Sequence, residues 1–143
     1  MSVTSNKTLV SEFIRQVWNE RKLEALDQFI HTEYHDHSFI PTLPTNKEGL
    51  LHWIGAVSAS FDHQTIIVSL VAENDMVAAQ ILFRGKQVGK WRNIAATGKE
   101  AEVKGFRHFR IKDGKIAEHW ALLDGEALQT ALSHTAHGCA VVQ

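Results

Sequence analysis

The stretch from Arg110 to Asp124 restricts this chain more than any other segment. Arg110-Ile-Lys112 runs into Asp113-Gly114 and leaves through Lys115-Ile-Ala-Glu-His-Trp-Ala-Leu-Leu123. Asp-Gly between two apolar-rich runs marks a two-residue hairpin turn, because both central residues must take positive φ. The chain therefore contains a tight antiparallel pair, and its register follows from the turn. Unbroken pairing sets Lys112 opposite Lys115, Ile111 opposite Ile116, Arg110 opposite Ala117 and Phe109 opposite Glu118. His108 then faces His119, Arg107 faces Trp120 and Phe106 faces Ala121. Side chains alternate across a sheet. One face is expected to carry Phe106, His108, Arg110, Ala117, His119, Ala121 and Leu123. The other is expected to carry Arg107, Phe109, Ile111, Ile116, Glu118, Trp120 and Leu122.

Upstream of the hairpin the pattern changes period. Leu9, Val10, Phe13, Ile14, Val17 and Trp18 recur at helical spacing and predict a helix over about residues 5–20. Leu23, Leu26, Phe29 and Ile30 predict a second, short helix after the polar joint Asn19–Lys22. Tyr34 to Phe39 reads as extended, and Pro41 and Pro44 punctuate a loop. Thr45 or Asn46 caps a third helix whose apolar side holds Leu50, Leu51, Trp53, Ile54, Val57 and Phe61. Strands follow over Thr65–Ala72, Met76–Arg84 and Ala101–Lys112, with an edge strand plus loop over Val88–Ile94. Asp124 caps a final helix through Leu132. Helices first and antiparallel strands after predict an α+β fold with helices packed on one face of a curved sheet. A single domain is expected over 1–143, with its core at about 5–132 and a tail over 133–143.

Composition narrows the partners. A formal net charge of −1 and the lack of any basic tract give no electrostatic reason to expect nucleic acid or an anionic membrane. No apolar run approaches the roughly 20 residues that span a bilayer, and the polar start Met1–Thr8 lacks the apolar core of a secretory signal. The single cysteine, Cys139, excludes an intrachain disulfide and fits a reducing compartment, so a cytoplasmic location is expected.

The candidates for chemistry are histidines. His108 and His119, as cross-strand neighbours, would disfavour double protonation, leaving one ring neutral and fit for proton transfer near neutral pH. On the same face Arg110 could steady a developing enolate oxygen. The alternative is a polar pair on a solvated face or in a dimer contact. Glu118 and Arg107 are placed for a diagonal ion pair beside Trp120, read as structural. His35 and His37 share one side of an extended segment and, with His31, could offer a metal two or three ligands. His37 as a pocket-lining residue is the preferred reading. His134, His137 and Cys139 form no complete ligand set, and no metal is expected. Trp18, Trp53 and Phe61 read as core or pocket wall.

The N-terminal amphipathic helix, Tyr34-His-Asp-His37, the Gly85–Gly98 segment with Ala95-Ala-Thr-Gly98, and Glu118-His-Trp120 with Asp124 together resemble the SnoaL-like polyketide cyclases of the nuclear-transport-factor-2-like superfamily. The resemblance runs from about Val10 to Leu132. It implies a cone-shaped α+β fold with an apolar pocket, homodimers paired through their sheets, and acid–base ring closure without metal or organic cofactor. The implied ligand is a small apolar carbonyl compound. The implied pocket comprises Trp18, Trp53, Phe61, Phe106, Arg110 and Ala121, with His108, His119 and His37 as catalytic candidates. In such relatives an aspartate commonly follows Glu-x-Trp as general acid/base, and here that position is Ala121. The loop Asn93–Gly98 also lacks the family's frequent prolines, and the last helix ends in Thr130-Ala-Leu-Ser rather than Gln-Leu-Gly. Two readings follow: a cyclase or isomerase whose proton transfer rests on histidine, or a ligand-binding dimeric module that has lost its acid.

Overall fold

A computed structural model describes residues 2–133. The first apolar stripe forms helix α1, Val3–Phe13, opened by a reciprocal Ser2–Ser5 capping box. A wider π-helical turn, Ile14–Asn19, continues it and keeps Ile14, Val17 and Trp18 buried. The second helix is a short 3-10 segment, Leu23–Gln28. Ile30, expected in that helix, instead begins strand β1, Ile30–Asp36. Helix α2, Lys47–Ser60, starts at Asn46, whose side chain accepts from the Gly49 N–H. Gly49 is required there, because a Cβ would lie 1.6 Å from the Pro44 carbonyl oxygen. Strands β2, Phe61–Glu73, and β3, Met76–Gln87, pair across the Asn74-Asp75 turn. Strands β4, Glu100–Lys112, and β5, Lys115–Leu123, pair across Asp113-Gly114, both at positive φ as the turn demands. Helix α3 spans Gly125–Ser133. Asp124 caps it, accepting from the Ala127 N–H at 2.9 Å.

The fold is α+β, and its five-stranded sheet runs β1-β5-β4-β3-β2. Strands β2 to β5 are antiparallel neighbours, as expected. Strand β1 departs from that pattern and lies parallel to β5. No hairpin ties these two strands, so no tight turn dictates their direction. The helices cover one face of the sheet. Val10, Phe13, Ile14, Leu50 and Ile54 pack there against Val77, Ile81, Phe109 and Ile116. A second cluster joins Phe61 and Phe83 to Leu128 and Leu132 of α3.

The hairpin register corrects the sequence expectation. Pairing is regular at Lys112–Lys115 and Ile111–Ile116, then shifts so that Arg110 faces Glu118 rather than Ala117. Ala117 is the extra residue of a β-bulge, and both it and Ile116 are buried. Everything after it changes partner: Phe109 faces His119, His108 faces Trp120, Arg107 faces Ala121 and Phe106 faces Leu122. His119 and Ala121 therefore share the helix-covered face with Arg107 and Phe109. His108, Arg110, Glu118 and Trp120 lie on the other. The bulged register is favoured because it sets Arg110 against Glu118 on the open face and keeps the carboxylate off the Phe109–Ile111 face.

Phe109 is fully buried, edge-on to Phe13 at 6.2 Å and 4.9 Å from the His119 ring. Truncation leaves a cavity beneath the site. Phe109→Ala is expected to lower unfolding free energy by about 3–5 kcal/mol, read by urea denaturation.

Candidate active site

A cavity of about 280 Å³ opens between the helices and the β4–β5 end of the sheet. Trp18, Trp53, Phe39, Ile81 and Phe83 supply apolar wall, and Asp36, Ser38, Arg92, Arg107 and His119 supply the polar groups. Trp18 arrives on the π-helical turn, and Asn19 beside it ties that turn to β2. The Asn19 side chain accepts from the Thr65 N–H at 2.8 Å and donates to the Thr65 carbonyl at 2.9 Å.

Asp36 is the centre of the polar group. It ends β1, is buried, and takes three donors. The Tyr34 hydroxyl donates to Oδ2 at 2.6 Å, the Ser38 N–H to Oδ1 at 2.9 Å, and His119 Nδ1 lies 2.7 Å from Oδ2. Burial acts to raise its pKa, but the hydrogen bonds from His119, Tyr34 and Ser38 outweigh this and hold it below the usual carboxylate range. An ionised Asp36 can only accept, so the proton between the two residues sits on His119 Nδ1. Burial pushes His119 below the ordinary histidine value, with the Asp36 carboxylate opposing. The ring is thus neutral near pH 7 and its Nε2 carries a lone pair. That nitrogen has no hydrogen-bond partner among the described residues.

Arg107 stands across the sheet from Ala121, its guanidinium 4.5 Å from the centre of the Trp18 ring. Burial lowers its pKa to about 10, with Tyr34 and Asp36 opposing, so it stays charged at neutral pH. Its Nε and the Trp18 Nε1 are both buried without a partner among the described residues. A lone pair on His119 and unspent donors on Arg107 and Trp18 therefore belong to residues that line one cavity. This is the arrangement needed to take a proton from carbon and hold the oxygen that gains charge.

Of the residues expected from sequence, His119, Trp18, Trp53, Phe106 and Ala121 line this cavity. Phe106 does so from its margin and is 58% exposed. Four do not. His108 lies on the open face, tilted against Trp120 at 5.7 Å, because the bulge separates it from His119. Arg110 lies on that face too, ion-paired with Glu118, and the expected Arg107–Glu118 pair does not form. His37 is exposed, stacked on Trp120 at 4.6 Å, with Nε2 2.9 Å from Glu118. Phe61 begins β2 and packs in the second cluster against Phe83 and Trp91. Asp36, Tyr34, Ser38, Arg107 and Arg92 are the site residues that sequence reasoning passed over. The usable signal was the strand alternation of Tyr34 and Asp36, a carboxylate on the same side as a core aromatic. Among the described residues no three His, Cys, Asp or Glu side chains are grouped to hold a metal ion. His134, His137 and Cys139 lie outside the described residues.

With this geometry in place, comparison with known proteins decides the family. The family described as SnoaL-like polyketide cyclase matches residues 8–132. The chain belongs to the SnoaL-like polyketide cyclase family. Among solved structures it is similar to TsrD from Streptomyces laurentii, at 29% identity over 93% of this chain and 98% of that one, with a TM-score of 0.83. IdmH from Streptomyces antibioticus shares the fold at 22% identity and a TM-score of 0.80, over 90% of this chain and 99% of that one. So does a SnoaL-like polyketide cyclase from Agrobacterium tumefaciens, at 15% identity and 0.75, over 91% and 98%. No curated protein matches the chain. Among the described residues no helix is long and apolar enough to cross a membrane.

Behind the cavity wall His63 packs edge-on to Trp18 and stacks on Phe83, with Nε2 3.2 Å from the Ser58 hydroxyl. Burial, then the Arg21 and Arg107 charges, push its pKa down to about 4. The unfolded chain, at about 6.5, takes up this proton first as pH falls. The contribution is therefore complete above about pH 6.5 and declines between there and pH 4. His63→Leu is expected to flatten the stability difference between pH 7 and pH 4.5 by on the order of 2 kcal/mol, read by urea denaturation at both values.

Proposed function

We propose that this protein is a cofactor-independent acid–base enzyme that closes or isomerises a small carbonyl compound, with His119 as general base. The observation that carries the reading is the neutral His119 ring, oriented by Asp36 and left with an unpartnered Nε2, on a residue that lines a cavity with Arg107. His119 Nε2 takes a proton from the carbon beside a carbonyl. The electron pair moves onto the carbonyl oxygen, which Arg107 and the Trp18 N–H stabilise. For ring closure, the enolate carbon then attacks a second carbonyl of the same molecule, and the new alkoxide takes the proton back from His119. Asp36 does not take up a proton; it holds the Nδ1–H tautomer and steadies the imidazolium. The Ser38 hydroxyl accepts from the Ala121 N–H and remains free to donate to a ligand oxygen.

A second reading, a binding module without turnover, draws on Ala121. It faces Arg107 where relatives are expected to place an acid, and its methyl transfers no proton. Hydrogen–deuterium exchange at C2 of α-tetralone and larger aromatic ketones, followed by NMR, separates the two. The enzyme reading expects exchange that falls by roughly 10²-fold or more in His119→Gln and changes little in His108→Ala. It also expects the rate to fall with pH once His119 becomes protonated, below the ordinary histidine range. Ketones that bind without exchanging faster in wild type than in His119→Gln would establish the module.

The open face of the sheet supports pairing of two copies through it. Phe106, Leu122 and Val71 are 58%, 75% and 64% exposed there, with Trp120 between the histidines. Leu122→Lys is expected to shift a dimer to monomer in analytical ultracentrifugation. A wild-type monomer would remove the dimer proposal.

A further inference from the structure

The charge balance of the cavity asks for more than an apolar ketone. Its lining holds two arginines, Arg92 and Arg107, and one carboxylate, Asp36. Asp36 is already engaged by three donors. Neither arginine has a carboxylate within ion-pair distance among the described residues, where every close pair involves other cations. The cavity therefore carries uncompensated positive charge, part-buried at Arg107 and exposed at the rim at Arg92.

Arg92 reaches this cavity through a loop that is built to hold it. Between β3 and β4 the chain is fastened by the Gln87 side chain, which is completely buried and fully engaged. Its Nε2 donates to the Gly89 carbonyl at 3.0 Å and to the Ile94 carbonyl at 2.9 Å. Its Oε1 accepts from the Thr97 N–H at 3.2 Å and the Thr97 hydroxyl at 2.8 Å. Trp91 packs on Phe61, and the Arg92 guanidinium lies 4.6 Å from the Trp91 ring centre. Arg92 and Asn93 take φ of 47° and 64°, a left-handed pair without glycine that the surrounding contacts must sustain. Arg92 Nη1 touches Gln129 Oε1 at 3.2 Å and the Gly125 carbonyl at 3.4 Å, while Nη2 and Nε have no partner among the described residues. Gly125 leaves room for the group, since a Cβ there would lie 2.6 Å from Nη2.

We infer that Arg92 is the anchor for an anionic group on the ligand, so that the site takes a carbonyl compound bearing a carboxylate. This deepens the functional reading above and rests on it for the position of the reacting carbonyl, at Arg107 and His119. Arg92 holds the acid end through its free fork, the geometry that suits a planar carboxylate. It acts on which ligand is held and touches no reacting atom.

The test is equilibrium binding, which needs no turnover and so stands or fails apart from the catalytic reading. Isothermal titration calorimetry compares 4-acetylbenzoate with its methyl ester at low ionic strength. The wild type is expected to prefer the carboxylate at least tenfold, with the preference shrinking as salt is raised. Arg92→Gln is expected to bring the ratio close to one. Gln129→Ala, which removes only the contact of Arg92 with α3, is expected to keep it. Equal binding of acid and ester by the wild type, binding of neither, or an undiminished preference in Arg92→Gln would each overturn the assignment. Loss of the preference in Gln129→Ala to the same degree would reassign Arg92 to fastening α3.

Discussion

A buried carboxylate with three donors holds the working part of this molecule together. Asp36 closes the one parallel strand pair among the described residues, and its partners come from its own strand, from the turn after it and from β5. Each bond to the charged group contributes more than a neutral one, roughly 1.5–3 kcal/mol. Removing the carboxylate would leave the Tyr34 hydroxyl and the His119 ring unpaired in the interior, each at a cost of about 1–3 kcal/mol. The same contact settles the tautomer of His119. Structure and chemistry therefore use one side chain, and neither can be altered without the other.

Much of the framework was legible in the chain because local rules govern it. The Asp113-Gly114 turn, the strand bounds of β5, the Asn46 and Asp124 caps and the apolar side of α1 follow from turn chemistry, capping and periodicity. The site was legible only in part. His119 and Trp18 could be named, but their partners could not. Asp36 lies 83 residues before His119, and β1 joins β5 without a turn to announce the pairing. Arg107 read as a structural ion-pair partner because the assumed register set it beside Glu118.

The bulge at Ala117 explains that misreading. A two-residue repeat is unforgiving, since one extra residue moves every later side chain to the opposite face. The bulge gives β5 an inward side with His119 and an outward side with Glu118 and Trp120. Two polar clusters thus lie back to back across one sheet: Asp36, His119 and Arg107 inside, and His37, Glu118 and Arg110 outside. A hint existed in the sequence, because only the bulged pairing sets Arg110 directly against Glu118.

The Gln87 side chain carries a consequence for what its position tolerates. Its nitrogen faces two carbonyl oxygens and its oxygen faces two donors. A glutamate at this position would set carboxylate oxygen against two carbonyls in a place that water does not reach. Repulsion would then loosen the strap from Val88 to Lys99, and with it the strained backbone at Arg92. Exchange of a single uncharged side chain, distant in sequence from His119, would thereby erase the rim of the cavity while leaving its base intact.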